Sequence, residues 1–275
     1  MLKRILVGLG GTPFANSEIL HAIELASAFD AELTGVTVVD LERLEDVGPI
    51  PIGGGAAAAA LQEHRLKVTQ QHVQEAILAF RHACEQAKIR QHVICEQGEP
   101  FEKLISLWRY HDLTILGLKG LFDYGVFPDP RDQITSLIAH GVRPILAVAE
   151  SHRRIERVLI AFNGSMESAK AMKRFVQLGL WPNAELHIAC FDHPEDQANS
   201  LMREASAYCR LWGYATKTTI GTGHTGDGLL NLSRTIEADL IVAGSSAKRS
   251  LLKRMLGDTT HHLIANSDRT LFLTQ

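Results

Sequence analysis

The sequence predicts an α/β fold made of two similar units, each a mainly parallel sheet covered by helices. Short apolar runs such as Ile5-Leu6-Val7 and Leu240-Ile241-Val242-Ala243 alternate with longer stretches whose apolar residues recur at helical spacing. Such alternation requires parallel strands joined by right-handed crossovers. The same ordered parts also occur twice. Lys3-Arg-Ile-Leu-Val-Gly-Leu-Gly-Gly-Thr12 answers to Glu156-Arg-Val-Leu-Ile-Ala-Phe-Asn-Gly-Ser165 at an offset of 153 residues. Asp112-Leu-Thr-Ile-Leu-Gly117 answers to Asp239-Leu-Ile-Val-Ala-Gly244 at 127, and residues 142–148 answer to 268–274 at 126. The fall in offset places about 26 extra residues between the first and fourth strands of the first unit. Finally, the join over residues 149–156 is short and charged and has no glycine or proline, so units at 1–150 and 151–275 should pack together.

Taken in order, the first unit opens with a strand over residues 4–8, a loop to Asn16 and a helix over 17–29. Ile19, Leu20, Ile23, Leu25 and Ala26 give that helix one apolar face. A strand over 32–39 ends at Asp40. Residues 41–60, with Pro49, Pro51, the run Gly53-Gly-Gly55 and five alanines, read as a surface insertion, with a lid or a partner contact as alternatives. A long helix over 61–87, a strand over 91–97, a helix opened by Pro100 and a strand over 113–116 follow. The bulky loop 122–127 should fill space or cover an interface rather than stack on a base. A helix over 133–140 and a strand over 144–148 complete the unit.

The second unit reads as strand 157–162, helix 166–178, strand 185–191, helix 194–212 and strand 216–220. A glycine-rich loop over 221–228, a helix over 229–237 and the strand 240–243 come next. That strand stops at Gly244 in a loop of small and basic residues leading to Gly257, a helix over 259–266 and a last strand over 270–274. Strand, small-residue loop and helix N-terminus together form an anion site, because amides left free at the helix start point at whatever sits there. Lys248, Arg249, Lys253 and Arg254 add positive charge nearby.

Composition excludes several other classes. The 45% hydrophobic content is ample for packed cores, and a net charge of −3 argues against a nucleic-acid or membrane-surface partner. No apolar run reaches the roughly eighteen residues of a spanning helix, so the expected location is cytoplasmic. Cys84, Cys95, Cys190 and Cys209 lack metal or redox spacing and read as thiols. His261 and His262 are adjacent and point apart on a helix, and His224 has only Asp227 as an acidic neighbour in its loop. No catalytic group and no metal ligand is assigned.

The stretch from Asp239 to Thr260 resembles the universal stress protein family, whose nucleotide-binding members carry Gly-x2-Gly-x9-Gly-Ser/Thr between the fourth strand and the last helix. Gly244 takes the first glycine position, Ala247 the second, Gly257 the third and Asp258 the hydroxyl position. The spacing holds and two identities depart. At Asp258 a carboxylate would repel phosphate unless magnesium intervenes or Thr259 and Thr260 supply the hydroxyls. The resemblance covers nearly the whole chain twice. It implies two Rossmann-like (adenine nucleotide alpha hydrolase-like) units, each a five-stranded parallel sheet of order 3-2-1-4-5.

The family's aspartate after the first strand falls on Gly10 and Asn163, and its base-lining position on about Val38 and Cys190. In the first unit Gly117 and Gly120 match, but the later pair falls on Pro130 and Arg131. The resemblance therefore implies a nucleotide site in the second unit. Its residues would be Asn163, Gly164, Cys190, Gly244, Ser245, Ala247, Lys248, Gly257 and Asp258, with Thr259 and Thr260 toward the phosphates. The implied ligand is ATP or AMP, with Mg if ATP. Family members pair through their last strands, which implies an internal pairing of 144–148 with 270–274; a homodimer of whole chains is a further option. Three functions follow: an adenine-nucleotide binding or sensing module in stress response, a stress protein that binds no nucleotide and acts as an interaction scaffold, or a weak ATPase. The last lacks a positioned base or arginine finger.

Overall fold

Strands and helices alternate along the whole chain in the computed structural model, which describes every residue except 1, 40–43, 45–47, 49, 51, 52, 121–133, 135, 136, 139–141, 143, 246, 247, 251, 252, 256 and 275. The first unit runs β1 (Arg4–Gly8), α1 (Ala15–Phe29), β2 (Glu32–Val39), α2 (Gly55–Gln86), β3 (Gln91–Gln97), α3 (Pro100–Trp108), β4 (Leu113–Gly117) and β5 (Ile145–Val148). The second runs β6 (Arg157–Ala161), α4 (Met166–Leu178), β7 (Glu185–Phe191), α5 (Glu195–Leu211), β8 (Thr216–Gly221), α6 (Thr225–Thr235) and β9 (Leu240–Gly244). A short antiparallel hairpin, β10 (Lys248–Ser250) with β11 (Lys253–Met255), precedes α7 (Asp258–Asn266) and β12 (Thr270–Thr274).

Ten strands form one sheet in the order β3-β2-β1-β4-β5-β12-β9-β6-β7-β8. Each half is parallel and ordered 3-2-1-4-5, the second being the mirror of the first along the sheet. The halves meet where β5 and β12 run antiparallel, with Ala147 opposite Leu271, Leu146 opposite Phe272 and Ile145 opposite Leu273. Every residue of β4, β5 and β12 is buried, as continuous apolar strands covered on both faces should be. Each leucine, isoleucine, valine or phenylalanine among them contributes about 1.5–3 kcal/mol relative to exposure.

The repeat visible in the sequence is a repeat of fastenings. The Asp112 carboxylate accepts the amides of Lys3 and Arg4 at 2.7 and 3.0 Å, tying the start of β4 to the start of β1. Its counterpart Asp239 accepts the amides of Glu156 and Arg157 at 3.0 and 2.9 Å, tying β9 to β6.

Two boundaries differ from the sequence expectation by four residues or more. The five alanines 56–60 join α2, which begins at Gly55 instead of residue 61, because alanine is the strongest helix former and needs no partner to stay helical. The glycine-rich stretch closes early: α6 begins at Thr225, where the ring of His224 caps the amide of Asp227. The aromatic loop 122–127 lies outside the described residues, as do Pro130, Arg131 and much of the insertion 41–60. Of the expected helix 133–140, Ile134, Leu137 and Ile138 are helical and fully buried. Among the described residues, no helix is long and apolar enough to cross a membrane.

Candidate functional site

The carboxyl ends of β6, β7 and β9 open onto a hollow of about 460 Å³ in the second unit. That size falls in the range of small-molecule sites, and the crevice beyond the strand ends is where doubly wound sheets place ligands. Ala161 at the end of β6 and Phe162 and Asn163 just after it line the hollow, with Ala189 and Phe191 from β7 and Ala243 and Gly244 from β9. Three helices begin on its wall: α4 through Ser165, Glu167 and Ser168, α6 through Thr225 and Leu229, and α7 through Gly257, Asp258, Thr259 and Thr260.

The three helix starts differ in how their free amides are used. At α4, the Ser165 hydroxyl accepts the amide of Ser168 at 3.2 Å, and the Asn163 side-chain oxygen accepts the amide of Ser165 at 3.1 Å. At α6, His224 is the cap. The cap of α7 is Gly257, which makes no side-chain hydrogen bond to the first turn. A helix start left without a side-chain cap favours an anion or other acceptor.

Thr260 is committed elsewhere. Its hydroxyl donates to the Gly244 carbonyl at 2.8 Å and pins the start of α7 to the end of β9. Gly244 itself is required by crowding, since a Cβ there would collide with the backbone of Glu167 at the start of α4. That close approach brings the ends of β9 and α4 together on one wall.

Of the expected site residues, Asn163, Gly244, Gly257, Asp258, Thr259 and Thr260 are brought together around the hollow. Gly164 is not on its wall; it adopts φ +74°, and a Cβ there would lie 2.7 Å from Leu201, so its role is in the loop. Cys190 points away because side chains alternate along β7, which leaves Ala189 and Phe191 on the wall. Burial pushes the Cys190 thiol above its ordinary range. Ser245 is fully buried behind the wall, its amide donating to the Thr274 carbonyl at 2.9 Å and its hydroxyl without a partner. Ala247 lies outside the described residues, and Lys248 is described only as backbone of β10.

Sequence reasoning missed the contributions of α4 and α6. Ser165, three residues before Ser168 at the head of an apolar-periodic stretch, was a readable cap signal. The Asp227 carboxylate lies 3.0 Å from His224 Nδ1 and 2.9 Å from His262 Nε2, so it sits between the start of α6 and the middle of α7. The reach to His262 depends on how α7 docks, which no local pattern encodes.

The loops at the matching end of the first unit are crowded against the helices. Phe14 lies 2.8 Å from where a Cβ of Gly117 would stand, and His72 of α2 closes on Gly11 in the loop after β1. Beneath them Glu18 is fully buried with neither oxygen in hydrogen-bond geometry. Burial raises its carboxyl well above the ordinary carboxylate range, and the nearby Gly117 amide opposes this only in part.

The family model of the universal stress protein family matches residues 1–121 and 192–274. A universal stress protein of Synechocystis sp. is 21% identical over 279 residues, covering 96% of each chain. The crystal structure of a universal stress protein from Archaeoglobus fulgidus DSM 4304 matches with a TM-score of 0.69 at 18% identity, over 99% of this chain and 98% of that one. A functionally unknown protein of Pseudomonas aeruginosa PAO1 matches at 0.64 and 14% identity, over 99% and 92%. At these identities the solved structures speak for the fold, and the family model speaks for descent: the chain belongs to the universal stress protein family.

Proposed function

We propose that the hollow of the second unit, residues 151–275, binds an adenine nucleotide, ATP or AMP, and that the chain works as a sensor of it. The observation that carries this reading is the start of α7, capped by a glycine without a side-chain bond and set in the wall of a hollow of about 460 Å³. The apolar floor of Ala161, Phe162, Ala189 and Ala243 suits a base, and Asn163 offers it a polar partner. Phosphates would lie toward Gly257, Asp258 and Thr259. The described wall carries two carboxylates, Glu167 and Asp258, and no lysine or arginine. A triphosphate in that position needs Mg or the cations of β10 and β11 to offset them. No chemical step is assigned to the site.

Asp258 also favours a second reading, in which the hollow has lost its nucleotide and the doubled fold serves as a scaffold. The two separate on one preparation. Purified protein is denatured and the released small molecules are analysed, and ATP and AMP binding with and without Mg is titrated by calorimetry. The nucleotide reading expects adenine nucleotide at up to one per chain, lost in Ala161→Phe, which fills the hollow, and weakened in Asn163→Ala. Absence of both retained and added nucleotide leaves the scaffold.

A further inference from the structure

The two halves also meet away from the seam, around a histidine whose burial the fold does not explain. His21 on α1 has no exposed surface, and neither of its ring nitrogens has a hydrogen-bond partner. Burying such polar atoms unpaired is costly, and native proteins avoid it unless something else satisfies them. One turn along the same face, Glu24 sets Oε2 4.0 Å from His21 Nδ1. His152, on the join between the units, sets Nε2 3.6 Å from that same oxygen. The second oxygen of Glu24 accepts the indole N–H of Trp181, from the second unit, at 2.9 Å. That bond fixes the carboxylate and aims its free oxygen between the two rings, the arrangement by which outer residues orient metal ligands.

We propose that His21, Glu24 and His152 form a binding site for a first-row divalent transition metal, zinc by chemistry, that clamps the join to the first unit. One ligand atom from each lies within 4.8 Å of the others. A tetrahedral zinc site needs them at roughly 3.3 Å, so each pair closes by a fraction of an ångström to about an ångström and a half, a movement of side chains. Two imidazoles and one carboxylate suit zinc, copper, nickel or cobalt, whereas magnesium and calcium want oxygen alone. His152 and Glu24 are 27% and 35% exposed in their side chains, which leaves water a route to the fourth position.

The test uses the full chain, stripped of metal, with His224→Ala introduced so that the cluster beside the hollow does not contribute. Zinc is titrated by calorimetry, and cobalt by quenching of tryptophan fluorescence. The site predicts one zinc per chain at micromolar concentration or below, a rise in Tm with zinc, and quenching by cobalt that disappears in Trp181→Phe. His152→Ala, on the surface join, and Glu24→Gln should each weaken zinc by about 100-fold or more while circular dichroism stays unchanged. Unchanged zinc affinity in both variants, or no uptake by the parent at micromolar zinc, overturns the proposal.

Discussion

Asp258 is the residue on which the choice of ligand turns. It occupies the first position of α7, on the wall of the hollow, where its carboxylate repels any phosphate drawn to the helix start. Two charges about 4 Å apart interact by about 4 kcal/mol at a near-surface dielectric, and solvent exposure reduces this to on the order of 1.4 kcal/mol, a factor of ten. Asp258→Ser should therefore tighten ATP about tenfold when Mg is chelated and much less when Mg is present, as calorimetry would read. Single residues were unevenly legible in the sequence. Asn163, Gly244 and Gly257 stood out by their place after strands and before a helix. Gly244, however, is needed because the backbone of Glu167 presses on it, a contact across 77 residues that no local pattern carries. Cys190 was misplaced by a single position, and on a strand one position exchanges the two faces.

Helices and strands owe their places to a few side chains that tie one to the next, and His111 shows how such a tie responds to acid. Its Nδ1 lies 2.7 Å from the Leu107 carbonyl in the last turn of α3, and its Nε2 lies 2.8 Å from the Thr34 hydroxyl on β2. The neutral ring that donates to Leu107 and accepts from Thr34 satisfies both contacts, and protonation would reverse the second, with Nε2–H donating to the Thr34 oxygen. Burial lowers the pKa of this ring, with Arg4 and His92 adding to the effect and the Leu107 carbonyl and Asp112 opposing it. The unfolded chain, titrating near about 6.5, then takes up the proton first. The stabilisation is present above that pH and is lost as pH falls below it. Urea midpoints at about pH 7.5 and about pH 5.5 should fall further in the parent than in His111→Gln. Most elements were readable, because apolar period and turn residues agreed. The start of α2 was not, because proline and glycine just upstream masked a run of alanines that is helical by its own preference.

For the whole molecule, the decisive contact is the β5–β12 seam. It removes two apolar edges and leaves β3 and β8 outermost, strands with exposed polar residues that discourage further pairing. Phe272 is fully buried at the seam, opposite Leu146 and edge-on to Phe175 at 5.4 Å. Phe272→Ala should cost about 3–5 kcal/mol in chemical denaturation. Chains 1–150 and 151–275 made together should elute as a one-to-one complex, and each made alone should self-associate through its bared edge. The seam has a geometric result as well. Because β5 and β12 run in opposite directions while every other neighbour in the sheet is parallel, the carboxyl ends of the two halves lie on opposite rims. The join leaves β5 and enters β6 on a single rim, which is why eight residues suffice for it. The crevice of the first unit and the hollow of the second thus face away from each other, like two doors on opposite walls of one house. Phe14 and His72 crowd the loops of the first without reaching the second, whose wall is drawn from its own half alone.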